Sequence, residues 1–379
     1  MNTVADLVKK LEAARRTYYQ HTNELVMTDA EFDTLEDQLR TLDPSNAFFS
    51  QVGAAPVGGA WTKVKHTTPM GSLNKAQTAI DLMVWYKALG GVHPLYWSEK
   101  ADGLSANLQY VNRKFVQGLT RGDGVVGEDV TRNMALVKGV VKVLPPTMPD
   151  GSPTPDLVFV RGEVVLLTPD FKAHFPGESN PRNSASGTLK RQTDNSKCAY
   201  LTLRAYQYLP DGVSSLPTKA AEFGALKAAG FQTPNSGLCN TLSDVDKVYQ
   251  NYIASTRVSI DYQIDGLVLD VNDTARRESF GDLNNRPKAS VALKFPHEEC
   301  PTVLKDILWQ VGSSGRVTPV ALFDAVVIGG ANVERASLAG VRQVEHLKLS
   351  RGCRILVSRR NDCIPRVEEN LDEGVVNDL

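Results

Sequence analysis

Two lysines, one arginine and three carboxylates, each set beside a glycine or at the end of a β-like run, are the residues of this 379-residue chain best able to do chemistry. They are Lys100, Asp102 (before Gly103), Arg121 (before Gly122), Glu163 (after Gly162), Asp265 (before Gly266) and Lys294, which closes Ser290-Val291-Ala292-Leu293. A lysine amine attacks carbon or phosphorus only once its proton is gone; with a reference pKa of about 10.4 it is otherwise a fixed cation. A guanidinium aimed at the same place would grip an anion through a planar set of donors. One Lys-x-Asp-Gly alone is weak, since a solvated lysine before a tight turn has the same spelling.

The elements around these residues bring some of them together. Leu104, Ala106, Leu108 and Tyr110 alternate with Ser105, Asn107 and Gln109, the pattern of a strand with one buried face. Val111-Asn112-Arg113-Lys114 turns it into a second strand ending at Thr120, and Arg121-Gly122-Asp123-Gly124 follows as a tight turn. Lys100 and Arg121 therefore sit near one end of one antiparallel pair, as a phosphate site needs. Further strands are expected at 157–167, 201–208, 266–271 and 290–295, with helices at 78–89, 222–229 and 243–255. Residues 1–45 read as two helices, the second opened by the capping box Thr28-Asp29-Ala30-Glu31, and the Gly/Ala/Pro-rich stretch 47–68 reads as a linker. Beyond Val303, short runs at 307–311, 317–323, 325–328 and 354–357 suggest a small barrel.

Composition narrows the class without naming it. Hydrophobic residues make up 42% and charged residues 22%, a globular balance, and the length allows two or three domains. No apolar run is long enough to span a bilayer and no secretory leader opens the chain, so a cytoplasmic location is expected. The five cysteines are scattered with no Cys-x-x-Cys pair, which points to neither a disulfide framework nor a zinc site. A formal net charge of −1 does not advertise nucleic-acid binding, although basic residues gather around Arg182, Lys190 and Arg191, around Lys288 and Lys294, and in 351–360.

Taken in order, the short signals are specific where each alone is not. Lys100-x-Asp102-Gly103, Thr120-Arg121-Gly122-Asp123-Gly124 with Gly127-Glu128-Asp129, and Arg161-Gly162-Glu163 are followed by Asn180-Pro181-Arg182-Asn183, Ile264-Asp265-Gly266, Lys294-Phe295-Pro296 and Gln310-Val311-Gly312. The series resembles the NAD-dependent DNA ligases over essentially the whole chain. That resemblance implies an α+β protein: a helical subdomain for the nicotinamide mononucleotide half at 1–58, an antiparallel-sheet nucleotidyltransferase (adenylation) domain at 59–296, and an OB-fold barrel at 297–379. It implies that Lys100 takes AMP from NAD, passes it to the 5′-phosphate of a nick in duplex DNA, and that the 3′-hydroxyl then seals the strand. A monomer acting on nicked DNA away from any membrane is expected.

The resemblance also distributes roles. Arg121 and Arg182 suit phosphate or ribose contacts, and Lys294 would be a second point charge on the α-phosphate. Asp102, Glu163 and Asp265 would hold ribose hydroxyls or the waters of Mg2+ (or Mn2+). Tyr208 stands where the family stacks a ring on adenine, and Ser72, Leu73, Ser98, Glu99 and Arg257 join the expected cofactor-binding set. Tyr19, Asp29 and Asp33 would grip the nicotinamide half, which favours NAD over ATP. Either Lys190 or Arg191 would bind the 5′-phosphate of the nick.

Several positions depart from the family pattern. Gln20 and Phe32 replace residues usual in the nicotinamide-binding helices. Ser98 stands where a glutamate for the adenine amine is common, with Glu99 displaced by one; Asp270 replaces a lysine, and Ser313-Ser314 replaces an Arg-Thr pair. A chain ending after the barrel is expected to hold DNA weakly and salt-sensitively, as a minimal enzyme or a truncated piece. Two other readings stay open: an ATP-dependent or RNA-sealing enzyme of the same fold, or a nucleic-acid-binding relative without catalysis.

Overall fold

The computed structural model describes residues 3–20, 29–44, 46–50, 61–91, 93–178, 180–283, 285–296, 299–311, 317–328, 331–338, 340–360 and 364–372. Two compact units emerge: one runs to Phe295 without 27–33, and the other comprises Pro296–Leu379, with 27–33 grouped to it. No helix among the described residues is long and apolar enough to cross a membrane.

Two helices, Val4–Gln20 and Asp29–Leu42, open the chain, with Leu7, Leu11 and Leu39 buried at helical spacing. Part of the expected linker is structured instead. Ala47–Ser50 forms a 3-10 turn whose Phe48 and Phe49 are buried edge to face, and Lys63–Lys65 pairs with Val126–Glu128. Their side chains explain this, because two adjacent phenylalanines are too apolar to leave in water. The Thr28 capping box lies outside the described residues.

Two antiparallel-type sheets carry the rest of the first unit. The four-stranded sheet runs Lys114–Thr120, Leu104–Val111, Leu157–Leu166, Leu201–Pro210 in spatial order. Strict alternation sends Leu108, Val160 and Leu203 into one apolar layer with Phe231 and Leu226, and turns Ser105 and Glu163 the other way. The five-stranded sheet runs Asn74–Ala76, Ser290–Lys294, Ile264–Val271, Leu95–Ala101, Ser236–Cys239, with only the first pair parallel. Here Leu269, Val271, Val291 and Leu293 form the buried layer. Helix Ala79–Ala88 starts at a capping box in which the Thr78 hydroxyl accepts from the Asp81 amide at 3.1 Å.

In the second unit the strands Glu299–Val311, Val317–Ile328, Ala331–Ser337, Ile364–Asn370 and Arg354–Arg360 close a barrel around Leu304, Phe323 and Ile355. The runs expected at 317–323 and 325–328 are one strand: the register shifts between Leu322 and Val326, so the bend at Asp324 is a bulge, not a turn.

Candidate active site

The adjacent strands Ile264–Val271 and Leu95–Ala101 pair with a register shift between Ile264 and Leu267, and that irregularity aims Asp265 at the nucleophile candidate. The Lys100 ammonium lies 2.9 Å from Asp265 Oδ1, and Lys294, on the neighbouring strand, reaches Oδ2 at 2.5 Å. Gly266 faces Lys294 across the ladder; a Cβ there would come within 2.3 Å of the Leu293 carbonyl oxygen, so glycine is needed for the two strands to approach this closely. Two lysines thus share one carboxylate, leaving a local surplus of one positive charge.

The second sheet contributes the remaining groups. Ser105 and Glu163 are register partners, and the Ser105 hydroxyl donates to Glu163 Oε2 at 2.8 Å. Arg182 pairs with Asp102 at 2.8 Å from the first turn of the helix Pro181–Leu189, whose Asn180 cap accepts from the Asn183 amide. Glu163 feels the positive charges of Lys100, Arg121 and Arg182, and Lys294 feels Asp102, so the charged ends of both sheets converge. Burial raises the Glu163 carboxyl above its ordinary range, the nearby cations only partly opposing it. Burial also pushes Asp265 upward, but the two ammoniums outweigh it and hold that carboxyl well below the usual range. Lys294 is correspondingly raised, its burial overcome by Asp265.

Tyr208 is the clearest correction. It is 1% exposed in the four-stranded sheet's core, its hydroxyl 3.4 Å from Met148 Sδ, and cannot stack on a base. A bulge is the reason: Arg161 pairs with Gln207 but Gly162 with Ala205, so Tyr206 is an inserted residue. Leu201, Leu203 and Ala205 face the core, the bulge resets the parity, and Tyr208 faces the core instead of the site. Tyr206, absent from the expected set, is turned towards Glu163, Arg121 and Ser105, and burial pushes its hydroxyl up to about 12.

Glu99 is the second correction, because alternation turns it away from Lys100. Its carboxylate accepts from the Asn235 amide at 2.9 Å, Asn235 Nδ2 at 2.7 Å, Tyr252 at 2.7 Å and Tyr262. That saturates it within the protein. Ser98, two residues before Lys100, is buried opposite Val268. Asp270 is also buried and accepts from the Ser290 hydroxyl. The anion that replaces the family's lysine is therefore bound to a neutral hydroxyl.

The other expected residues are spread more widely. Arg257 lies over the Phe295 ring at 5.6 Å, next to Lys294 in sequence. Ser72 and Leu73 lead into Asn74–Ala76, the strand parallel to that of Lys294. Lys190, C-cap of the helix Pro181–Leu189, pairs with Glu128 at 2.9 Å, whereas Arg191 is exposed. Tyr19 is on the first helix and Asp29 and Asp33 on the second, with side chains outside the described residues, as are Gly312 and Ser313-Ser314. The helix Pro181–Leu189 itself was not expected, although Asn180-Pro181 is a cap followed by a proline at the first helical position. Among the described residues no group of three or more His, Cys, Asp or Glu could hold a metal ion. Asp102, Asp265 and Glu163 each already engage a cation or hydroxyl, so they fit an ion that keeps its own water shell and do not form a direct cage.

Comparison with known proteins gives the family. The NAD-dependent DNA ligase adenylation domain matches residues 59–298 and the NAD-dependent DNA ligase OB-fold domain matches 301–377. The chain belongs to the NAD-dependent DNA ligase family. It is similar to the DNA ligases of Sorangium cellulosum (37% identical, 98% of this chain and 56% of that protein) and Treponema denticola (35% identical, 96% and 56%). A third relative, the DNA ligase of Acidiphilium cryptum, is 35% identical over 98% of this chain and 55% of its own length. The chain therefore spans little more than half the length of these relatives.

Proposed function

We propose that this chain uses NAD to adenylate its own Lys100 and passes the AMP to the 5′-phosphate of a nick in duplex DNA, which is then sealed. The observation that carries the reading is the pair Lys100 and Lys294 on one carboxylate, with Arg121 and Arg182 close by. In the first step the Lys100 amine, having lost its proton, attacks the α-phosphorus. A P–N bond forms, the P–O bond to nicotinamide mononucleotide breaks, and that nucleotide leaves. Next a 5′-phosphate oxygen of the nick attacks the same phosphorus, the P–N bond breaks and the lysine is released. Finally the 3′-hydroxyl attacks the 5′-phosphorus and AMP departs.

In each step the work is placement and charge. Lys294 is held cationic beside the nucleophile by Asp265, where it meets the charge that develops on the phosphate oxygens. Asp265 also keeps Lys100 directed to one point. Arg182 is anchored by Asp102 beside the two lysines, where a planar guanidinium suits phosphate or ribose. Magnesium, held through its waters by Asp102, Glu163 and Asp265, would add positive charge at the phosphates. Tyr206 takes the stacking role towards adenine, and exposed Arg191 is the candidate for the nick's 5′-phosphate, with Lys190 engaged by Glu128.

Intact-mass measurement after incubation with magnesium and either NAD or ATP tests the reading. An adenylate adduct with NAD, absent with ATP and absent in Lys100→Ala, is expected. No adduct with either nucleotide overturns it, and an adduct with ATP alone moves the chain to ATP-dependent chemistry. Transfer of the adduct to nicked duplex, compared with nicked RNA, tests the acceptor.

A further inference from the structure

The strand Leu201–Pro210 is the edge of its sheet, so its outer backbone groups need partners from outside the ladder. Two outward amides find loop carbonyls: Leu203 donates to Lys138 at 2.9 Å and Ala205 to Gln232 at 2.8 Å. In an unbroken strand the next outward amide would belong to Gln207. Instead it is the Tyr208 amide that donates outward, to Glu222 Oε1 at 2.9 Å, while Lys219 Nζ donates to the Tyr206 carbonyl at 3.0 Å. Lys219 and Glu222 lie one turn apart on the helix Lys219–Ala228 and pair with each other at 2.9 Å; the residues are 7% and 2% exposed.

The ion pair therefore fits a strand whose parity has already shifted by one. That shift is what turns Tyr208 into the core, while Lys219 holds the backbone of Tyr206, the inserted residue, whose side chain is turned towards the charged site. A second clamp holds the residue after the insertion: Arg161 donates to Gln207 Oε1 at 3.3 Å and to the Thr68 carbonyl at 2.6 Å. Gly162 gives the bulge room, since a Cβ there would lie 2.8 Å from the Arg204 carbonyl oxygen.

We infer that Lys219 and Glu222 are positioning residues for nucleotide binding, acting through the bulge that presents Tyr206 to the base. The inference rests on the proposed adenylation of Lys100 and adds to it a part of the molecule that touches no nucleotide. A buried ion pair is a poor device for stability alone, because apolar side chains of similar volume usually serve as well. It is a good device for choosing one register, because its two charges accept only the strand that offers a carbonyl at 206 and an amide at 208.

The test is a mutant cycle on the full chain, read by the rate of Lys100 adenylation against NAD concentration. Replacing the pair with apolar residues (Lys219→Met with Glu222→Leu) should raise KM for NAD by roughly tenfold, about the worth of a lost base stack, with kcat changed by less than about twofold. In a Tyr206→Ala background the same replacement should add nothing to KM. A folded pair-less variant with unchanged KM overturns the inference, and so does an equal rise in KM when Tyr206 is already alanine. If the double variant does not fold, Glu222→Gln decides: it keeps an acceptor for the Tyr208 amide but not the charge. It should show a smaller rise in KM that also vanishes with Tyr206→Ala, and no rise counts against the inference. Failure of the wild-type chain to form an adduct overturns the underlying reading and the inference with it; an adduct with normal KM in every pair variant removes the inference alone.

Discussion

Asp265 and Glu163 are carboxylates of one site, one on each sheet, both half-buried, and their proton affinities move in opposite directions. Both are pushed upward by burial. Asp265 touches two ammoniums at 2.5–3.0 Å, which reverses the effect, whereas Glu163 touches a neutral hydroxyl and meets its cations only at longer range. Direct contact with charge, not location in the site, decides which carboxylate stays firmly ionised. Asp265 is thus suited to hold cations in place. Glu163, easier to protonate, is suited to a hydroxyl or a hydrated metal ion.

The contrast can be broken at either end. Asp265→Asn leaves two half-buried ammoniums without their anion, and single-turnover adenylation should fall by about a thousandfold or more, measured by mass shift against time. Glu163→Gln should lower the same rate by a smaller factor, about a hundredfold, while raising the urea midpoint at pH 7 because a costly buried charge is gone. A Glu163→Gln protein less stable than wild type would contradict the raised affinity of that carboxyl.

Acid unfolding separates the two groups further. The folded pKa of Asp265 lies below its unfolded value, so its contribution is complete above the unfolded carboxylate range and is lost as pH falls through the lower, folded value. Glu163 has its folded pKa raised, so its contribution is present below the unfolded value and is lost as pH rises through the folded one. The stability advantage of Glu163→Gln should consequently shrink as the solution is acidified, which urea melts at several pH values would follow. The smallest effects concern the tyrosines. Tyr206→Ala should raise KM for NAD by roughly tenfold, whereas Tyr208→Phe, losing only a weak contact to sulfur, should alter it by less than about twofold.

What the sequence disclosed follows from how local each signal is. Period-two alternation located the strand of Ser105 and the charged ends near Lys100, because burial on one face writes itself into residue order. Asp265 and Lys294 stand out by motif, yet their shared contact depends on a register shift between distant strands. The expectation of Tyr208 failed for a related reason: no residue type marks a bulge, and nothing in the order of residues shows that the parity changes before Tyr208. Glu99 was the more avoidable error, since alternation alone sends the neighbour of Lys100 to the opposite face. In the barrel, Ala331–Ser337 and Ile364–Asn370 were missed because Asn332, Glu334, Arg335, Arg366 and Glu368 break up any apolar run.

The cage around Glu99 has a consequence for the residue beside it. A β-strand that slips by one position exchanges its two faces, and here a slip would drive the Lys100 ammonium into a buried nest of two tyrosines and an asparagine that already offers four donors. A carboxylate meets four donors there, whereas an ammonium would find only neutral oxygens and no anion to balance its charge. Glu99 works as a registration pin: its four hydrogen bonds fix the depth at which the strand is threaded, and with it the face on which Lys100 stands.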